Sequence, residues 1–437
     1  MCESGEISSL VSFKYFTTFG SLKIMTKSER IILFLLASLN FTHILDFIIM
    51  MPLSNYLIPF FKITAFQFSI LVASYSISAF FSGIVIAMVI DRFDRKRTLV
   101  LAYIGFLVGT IACGFAPNYG LLLASRILAG LFGGIMGAQV LAIVADLFSY
   151  ERRGRAMGVV MSAFAAASIL GVPISLYFTN LFKFNWHVPF LIIACVGVII
   201  VPFLIRFIPK MKDHIKPVDE SILPFRALTI VIKNPAQRSA LLFSGLLMLG
   251  HFLIIPFINP YIEFNKGFSK SLIPMIYLVG GIASLIAALF LGRVSDRIGK
   301  LPVFLYSVFF SLFMVLLITR LPDIHFSLVL GFFSVWFMLA TGRAITSQAM
   351  ISEVVKPEQR GSFMSINGSV QQLGQGVAAL IAGGIVLTDP SGKILRYNWV
   401  GYLSVLVLLG SFFLARNLFR KLDKKNGLEA ELLGENP

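Results

Sequence analysis

The sequence predicts an all-α polytopic membrane protein, with twelve membrane-spanning helices in two pseudo-symmetric halves of six. Three observations carry this expectation. First, of 437 residues 57% are hydrophobic and 13% charged, with a mean hydropathy of +0.87. So few charges cannot keep the surface of a soluble chain of this length wet. Second, the apolar residues fall into runs of about 20, the length that crosses a hydrocarbon core about 30 Å thick. The runs are centred near residues 43, 78, 107, 132, 168, 198, 250, 281, 310, 338, 374 and 408. Third, the polar punctuation repeats. His43 and Pro52 return as His251 and Pro260 at an offset of 208, and Asp91-Arg92 returns as Asp296-Arg297 at 205. Asp146, Glu151, Arg153 and Gly154 return as Glu353, Glu358, Arg360 and Gly361 at 207. A near-constant offset marks an internal parallel repeat.

In chain order, residues 1–30 form a segment before the first span. They lack the apolar run and small-residue cleavage site of a secretory signal, and Met25, followed by Thr-Lys-Ser-Glu-Arg, reads as the natural start. Residues 31–208 are the first half and 239–418 the second, with a tail at 419–437. Between the halves lies a charged linker, 209–238, in which Ser221 to Lys233 suits a short amphipathic helix on the membrane surface. An even number of spans puts both termini on one side. Of 37 Lys and Arg, 28 fall on that side, 7 on the other and 2 within the membrane, which makes it the cytoplasmic side. The net charge of +16 is thereby an orientation signal and not a nucleic-acid footprint. Cys2, Cys113 and Cys195 are scattered, so neither a disulfide framework nor a metal site is expected.

Ionisable groups inside the membrane are costly and are therefore functional candidates. Asp46 lies roughly 22 Å from the inner end of the first span, and Arg126 roughly 10 Å from the outer end of the fourth, at about 1.5 Å per residue. Their depths match, so the two are expected to meet. His43 is one turn from Asp46 on the same face and is a candidate relay, although its repeat mate His251 has Ile254, not an acid, one turn on. Arg343 is the one deep charge of the second half; its repeat counterpart is Met136, so the fold does not demand a charge there. It is expected to touch substrate through an anionic or carboxylate-bearing group, or else to pair with Asp46. Asn367, Gln371 and Gln375 form a polar stripe suited to a central cavity or to interhelical hydrogen bonds. Ala163, Ala167, Gly171 and Ser175 form a small-residue ridge running into Pro173, against which another helix can close.

Charge also gathers in the turns. Asp146 precedes Arg153, and Glu353 precedes Arg360, by seven residues, about two helical turns, so each set can reach the neighbouring turn that holds Asp91, Arg92 and Arg95 or Asp296 and Arg297. These turns, Ala87–Arg97 (AMVIDRFDRKR) and Gly292–Lys300 (GRVSDRIGK), resemble the signature of the major facilitator superfamily of transporters. The second copy has Gly292, Asp296, Arg297, Gly299 and Lys300 in register; the first has Ala87 and Asp94 at the glycine positions. The resemblance implies alternating access, with the charge clusters holding the halves together on the inner side when the pathway opens outward.

Arg126 in the run RILAG is similar to the fourth-span arginine of the drug:proton antiporter branch, with Ala129 in place of that branch's glutamine. Gly171-Val172-Pro173 resembles the fifth-span region of sugar-efflux and arabinose-efflux permeases, with Asn185 and His187 in place of a glycine and an arginine. The resemblance implies proton-coupled efflux of a drug, sugar or metabolite, with proton-coupled uptake as the alternative. Asp46 would carry the proton, because burial disfavours its charge and Arg126 favours it. Protons would be the coupling ion with no other cofactor, the lipid bilayer and a small-molecule substrate the partners, and the chain a monomer in the inner membrane of a bacterium. A membrane enzyme or sensor is the non-transport alternative. His214 and Asp219 have an acyltransferase spacing, but Pro217 separates them, and no phosphate-binding loop occurs.

Overall fold

The computed structural model describes residues 25–89, 93–148, 150–183, 185–211, 229, 231, 233–355 and 360–432. Residues 1–24, Asp91, Arg92, the side chain of Arg153 and most of the 221–233 stretch lie outside the described residues. The first span is in two pieces, α1 (Lys27–Ile49) and α2 (Ser54–Phe61). Thr26 starts α1 through a capping box: its hydroxyl accepts from the Glu29 N–H, and the Glu29 carboxylate accepts from the Thr26 N–H. Pro52 lies in the break between the pieces, where it has no N–H to continue a helical ladder. There follow α3 (Ala65–Val89), α4 (Arg95–Gly114) and α5 (Tyr119–Leu147).

The fifth span joins α6 (Tyr150–Ala166) to α7 (Val172–Leu181) through a π-helical turn, Ala167–Gly171. Pro173 sits in the first turn of α7, where it has no N–H to donate, and in the wider turn before it the Val172 N–H donates to the Ala167 carbonyl five residues back. Ala163, Ala167, Gly171 and Ser175 are buried. At Gly171 the close neighbours are Leu45 and Phe41 of α1, so the ridge serves packing inside the first half at that point. The sixth span is α8 (Val188–Phe207).

The second half repeats the plan. Its first span breaks into α9 (Pro235–Phe252), α10 (Ile255–Pro260) and a π-helical turn, Tyr261–Asn265. Then come α11 (Ile273–Ile298), α12 (Lys300–Thr319), α13 (Phe326–Glu353) and α14 (Arg360–Ile385). A two-stranded hairpin, β1 (Leu387–Thr388) with β2 (Ile394–Leu395), leads to α15 (Tyr397–Leu432). This helix runs well past residue 418, where the sequence reading placed the tail.

Among the described residues, eleven segments are long and apolar enough to cross a membrane by themselves. The remaining span is α14, whose 26 residues include Asn367, Gln371 and Gln375. It packs between α3 of the first half and α9 of its own, which keeps its polar stripe out of lipid. Its contact with α3 is one seam between the halves; the other joins α7 and the π turn before it to α11. Large apolar side chains such as Phe34, Leu101 and Leu406 stay exposed on the perimeter, as hydrocarbon requires.

Candidate functional site

Close approach of three helices builds the first-half site. At Gly130 of α5 a Cβ would lie 2.3 Å from the Tyr75 carbonyl oxygen, so α3 and α5 touch backbone to backbone. At Gly109 of α4 a Cβ would lie 2.7 Å from the Ala129 nitrogen. These contacts bring Arg126, Tyr75 and Thr110 around Asp46 of α1. Arg126 Nη1 donates to Asp46 Oδ2 at 2.7 Å, and neither side chain is exposed at all. Thr110 Oγ1 donates to Asp46 Oδ1 at 3.2 Å, and the guanidinium carbon lies 4.4 Å from the centre of the Tyr75 ring. Among the described residues Arg126 Nε and Nη2 have no hydrogen-bond partner. His43 packs between the rings of Tyr75 and Phe106, at 6.0 and 5.9 Å, with both ring nitrogens unpartnered and no bond to Asp46.

In the second half one face of α9 collects the polar groups of two neighbours. Gln371 donates to Ser244 Oγ at 3.0 Å, and Gln375 reaches the Met248 sulfur at 3.9 Å. Arg343 Nη2 donates to His251 Nδ1 at 3.1 Å. Pairing of Arg343 with Asp46 is therefore corrected: Asp46 is engaged by Arg126, and Arg343 turns to a histidine of its own half. His251 thereby has a polar partner within its own half. Asn367 is 1% exposed, and its Oδ1 and the Gln375 Oε1 are unpartnered. The two sites adjoin across the halves, because Phe47, next to Asp46, packs on Phe252, next to His251, at 5.8 Å.

The charged turns pair by the repeat. Arg95 meets Asp146 at 3.0 Å, and Lys300 meets Glu353. Arg95 and Lys300 are 205 residues apart, Asp146 and Glu353 207, so the same bridge is made once in each half. Arg360, which the sequence grouped with Glu353, donates instead to the Ser352 carbonyl at 2.9 Å; Asp296 and Arg297 are exposed. Arg152 and Glu29 add a further bridge within the first half, at 3.1 Å.

On the opposite face polar bonds cross between halves. Asn55 of α2 donates to the Asn259 carbonyl at 3.2 Å and to the Glu263 carboxylate. Asn55 and Glu263 are repeat mates at the offset of 208, so the pseudo-twofold relation brings equivalent positions face to face. Lys270 lies 3.6 Å from Glu263 and over the Tyr56 ring.

The sequence profile of the Major Facilitator Superfamily matches residues 36–345 and 240–434. The chain belongs to this superfamily. Two Bacillus subtilis relatives, the uncharacterized MFS-type transporters YceJ and YbcL, are 24% and 26% identical to it. The YceJ match spans 80% of this chain and 84% of that protein, the YbcL match 72% and 78%. Among solved structures, an inward-facing bacterial homolog of the human lysosomal transporter Spinster is 15% identical, with a TM-score of 0.69 over 91% of this chain and 98% of that one. The nucleoside transporter NupG, 15% identical, has a TM-score of 0.68 over 88% and 100%. The human organic anion transporter MFSD10 (TETRAN), 17% identical, has 0.64 over 89% and 99%.

As a member of the Major Facilitator Superfamily the protein is an integral multi-pass secondary transporter and not an enzyme. Several residues of this facilitator escaped sequence reading. Tyr75 and Thr110 look like ordinary helix residues, and only the glycine contacts turn them toward Asp46. Glu263 had a signal, an acid inside an apolar run whose repeat mate is Asn55.

Proposed function

We propose that the protein is a proton-coupled exporter of a small molecule, a monomer working by alternating access in the inner membrane of a bacterium with both termini in the cytoplasm. The observation that carries this reading is the fully buried Asp46–Arg126 pair. A carboxylate without access to water holds its charge only while its cation is close. Taking up a proton removes the hold on Arg126 and frees α1 and α5 to shift relative to each other. His43, one turn from Asp46 with unpartnered ring nitrogens, is positioned to pass the proton. Substrate would contact Arg343, Asn367, Gln371 and Gln375, and the turns holding Asp91, Arg92, Arg95, Asp146, Arg153, Asp296, Arg297, Glu353 and Arg360 would close the inner side in the alternate state. Protons are the coupling ion, with no bound cofactor. The likeness of the Arg126 segment to the antiporter branch supports export.

One observation favours the second reading, uptake by proton symport. Protonating Asp46 leaves Arg126 and Arg343 both positive, which attracts an anion instead of expelling one. The deciding experiment places the purified protein in liposomes with an internal pH-sensitive dye and an imposed proton gradient, and adds sugars, cationic drugs and organic acids in turn. Proton flux driven by one class and lost in D46N supports coupling through Asp46, and the direction of paired substrate movement separates export from uptake. Normal pH-dependent transport by D46N would refute the role of Asp46.

A further inference from the structure

We propose that Arg343, His251 and Trp336 form the binding site for the carboxylate of a singly charged organic anion, which names the substrate class of this transporter. The inference rests on the reading above only in taking the second-half polar groups to line the pathway.

The argument begins with a missing partner. Arg343 sits in the interior of α13, 2% exposed, and among the described residues its side chain makes a single hydrogen bond, from Nη2 to His251 Nδ1. Its Nε and Nη1 are buried and unpartnered, and among the described residues no carboxylate pairs with it. In the first half the corresponding problem is solved inside the protein, where Arg126 has Asp46. In the second half the repeat mate of Asp46 is Ile254, which has no charge to offer. Nor does the scaffold need a cation there, since the repeat mate of Arg343 is Met136. An uncompensated buried guanidinium is unfavourable, and its retention is explained by a counter-charge that arrives from outside.

The chemistry of the neighbours selects that counter-charge. Because His251 Nδ1 accepts from Arg343, its proton resides on Nε2, so the imidazole is a further donor. Trp336, two turns before Arg343 on α13, packs on the His251 ring at 5.1 Å, and its indole N–H is buried without a partner. Every orphan on these three side chains is a donor. The guanidinium fork matches the two oxygens of a carboxylate. The surrounding rings, Phe252 edge-on to His251 at 5.4 Å and Phe337 edge-on to Trp336 at 5.3 Å, suit an apolar body behind the charge. An amine would meet only donors and a cation.

The test measures equilibrium binding to the purified full-length protein, with no proton gradient, so its outcome is independent of whether Asp46 couples. Benzoate, phenylacetate and hexanoate are each compared with their neutral amides and with the matching amines, by calorimetry and by the rise in Tm. Carboxylates are expected to bind at millimolar concentration or below and their amides not to. R343Q should weaken the carboxylates roughly 10- to 100-fold, the size of losing charged hydrogen bonds, while R343K retains part of the affinity. The ligand-free R343Q protein should melt no lower than the wild type, because the substitution removes an uncompensated charge; a structural arginine would lower it. The proposal is overturned if amides or amines bind as well as carboxylates, if R343Q leaves carboxylate affinity unchanged, or if no carboxylate binds at millimolar concentration.

Discussion

Replacing Asp46 by leucine leaves the Arg126 guanidinium in a site with no exposure, against Tyr75 and, among the described residues, without a hydrogen-bond partner at Nε or Nη2. Arginine cannot shed its proton to relieve the burial. Breaking a buried ion pair from one side costs about 3–5 kcal/mol, and with neither partner exposed no discount for solvent screening applies. The Tyr75 ring lies over the guanidinium in both proteins, so that contact does not change the difference. R126M lets Asp46 relieve its burial by taking up a proton beside Thr110, so its loss should be smaller than that of D46L. The double variant D46L/R126M has no buried charge left, and replacing both members of such a pair by apolar groups is commonly neutral or stabilising. The expected pattern is two destabilised single variants and a double variant close to the wild type. Membrane proteins of this size often unfold irreversibly, so the assay is the rate of thermal inactivation in detergent, followed by size-exclusion chromatography at fixed temperature. Additive losses, with the double variant worst, would show that the pair does not act as one unit and would refute the reasoning.

Three further outcomes are expected. G130A places a methyl group 2.3 Å from the Tyr75 carbonyl, where only backbone can yield, so it should cost about 1–3 kcal/mol in the same assay; Gly137 on the same helix has nothing within 4 Å, and G137A should be neutral or stabilising. N55D sets a second carboxylate against Glu263 and should open that face, read as a longer distance between spin labels on the two halves; N55D/E263Q should restore the wild-type distance, and an unchanged distance in N55D would count against the cross-half contact. His187, between the fifth and sixth spans, has its pKa lowered by burial, only partly offset by its bond to the Gly114 carbonyl. The unfolded chain thus binds the proton first, and His187 should cost stability as pH falls through about 6.5; H187Q should flatten that part of the pH–stability curve, and an unaltered curve would argue against the burial effect.

Much of this protein is legible in its residues because hydrocarbon is an unforgiving solvent. Charge inside a span is expensive, so Asp46, Arg126 and Arg343 stand out at once, and a constant rise per residue places Asp46 and Arg126 at one depth. The repeat offsets likewise foretell that Arg95–Asp146 has a twin. The partner of Arg343 was not legible, since His251 lies 92 residues away on another helix and nothing local says which face of α9 meets α13. Lys300, not Arg360, answers Glu353 because turn geometry, and not sequence distance, sets which side chain arrives. The run centred near residue 374 is less apolar than the others, and the burial of α14 between α3 and α9 accommodates its polar stripe.

The sequence by itself determined the solvent, the number and polarity of the spans, the duplication and the buried charges, because each follows from the cost of moving a given side chain from water into hydrocarbon. Tertiary structure decided the pairings. Helices associate here by close packing at small residues such as Gly109, Gly130 and Gly171, and the rotation that this packing selects determines which buried donor finds an acceptor. Arg126 found one in the protein, and Arg343 was left with a histidine and, among the described residues, no partner for Nε and Nη1.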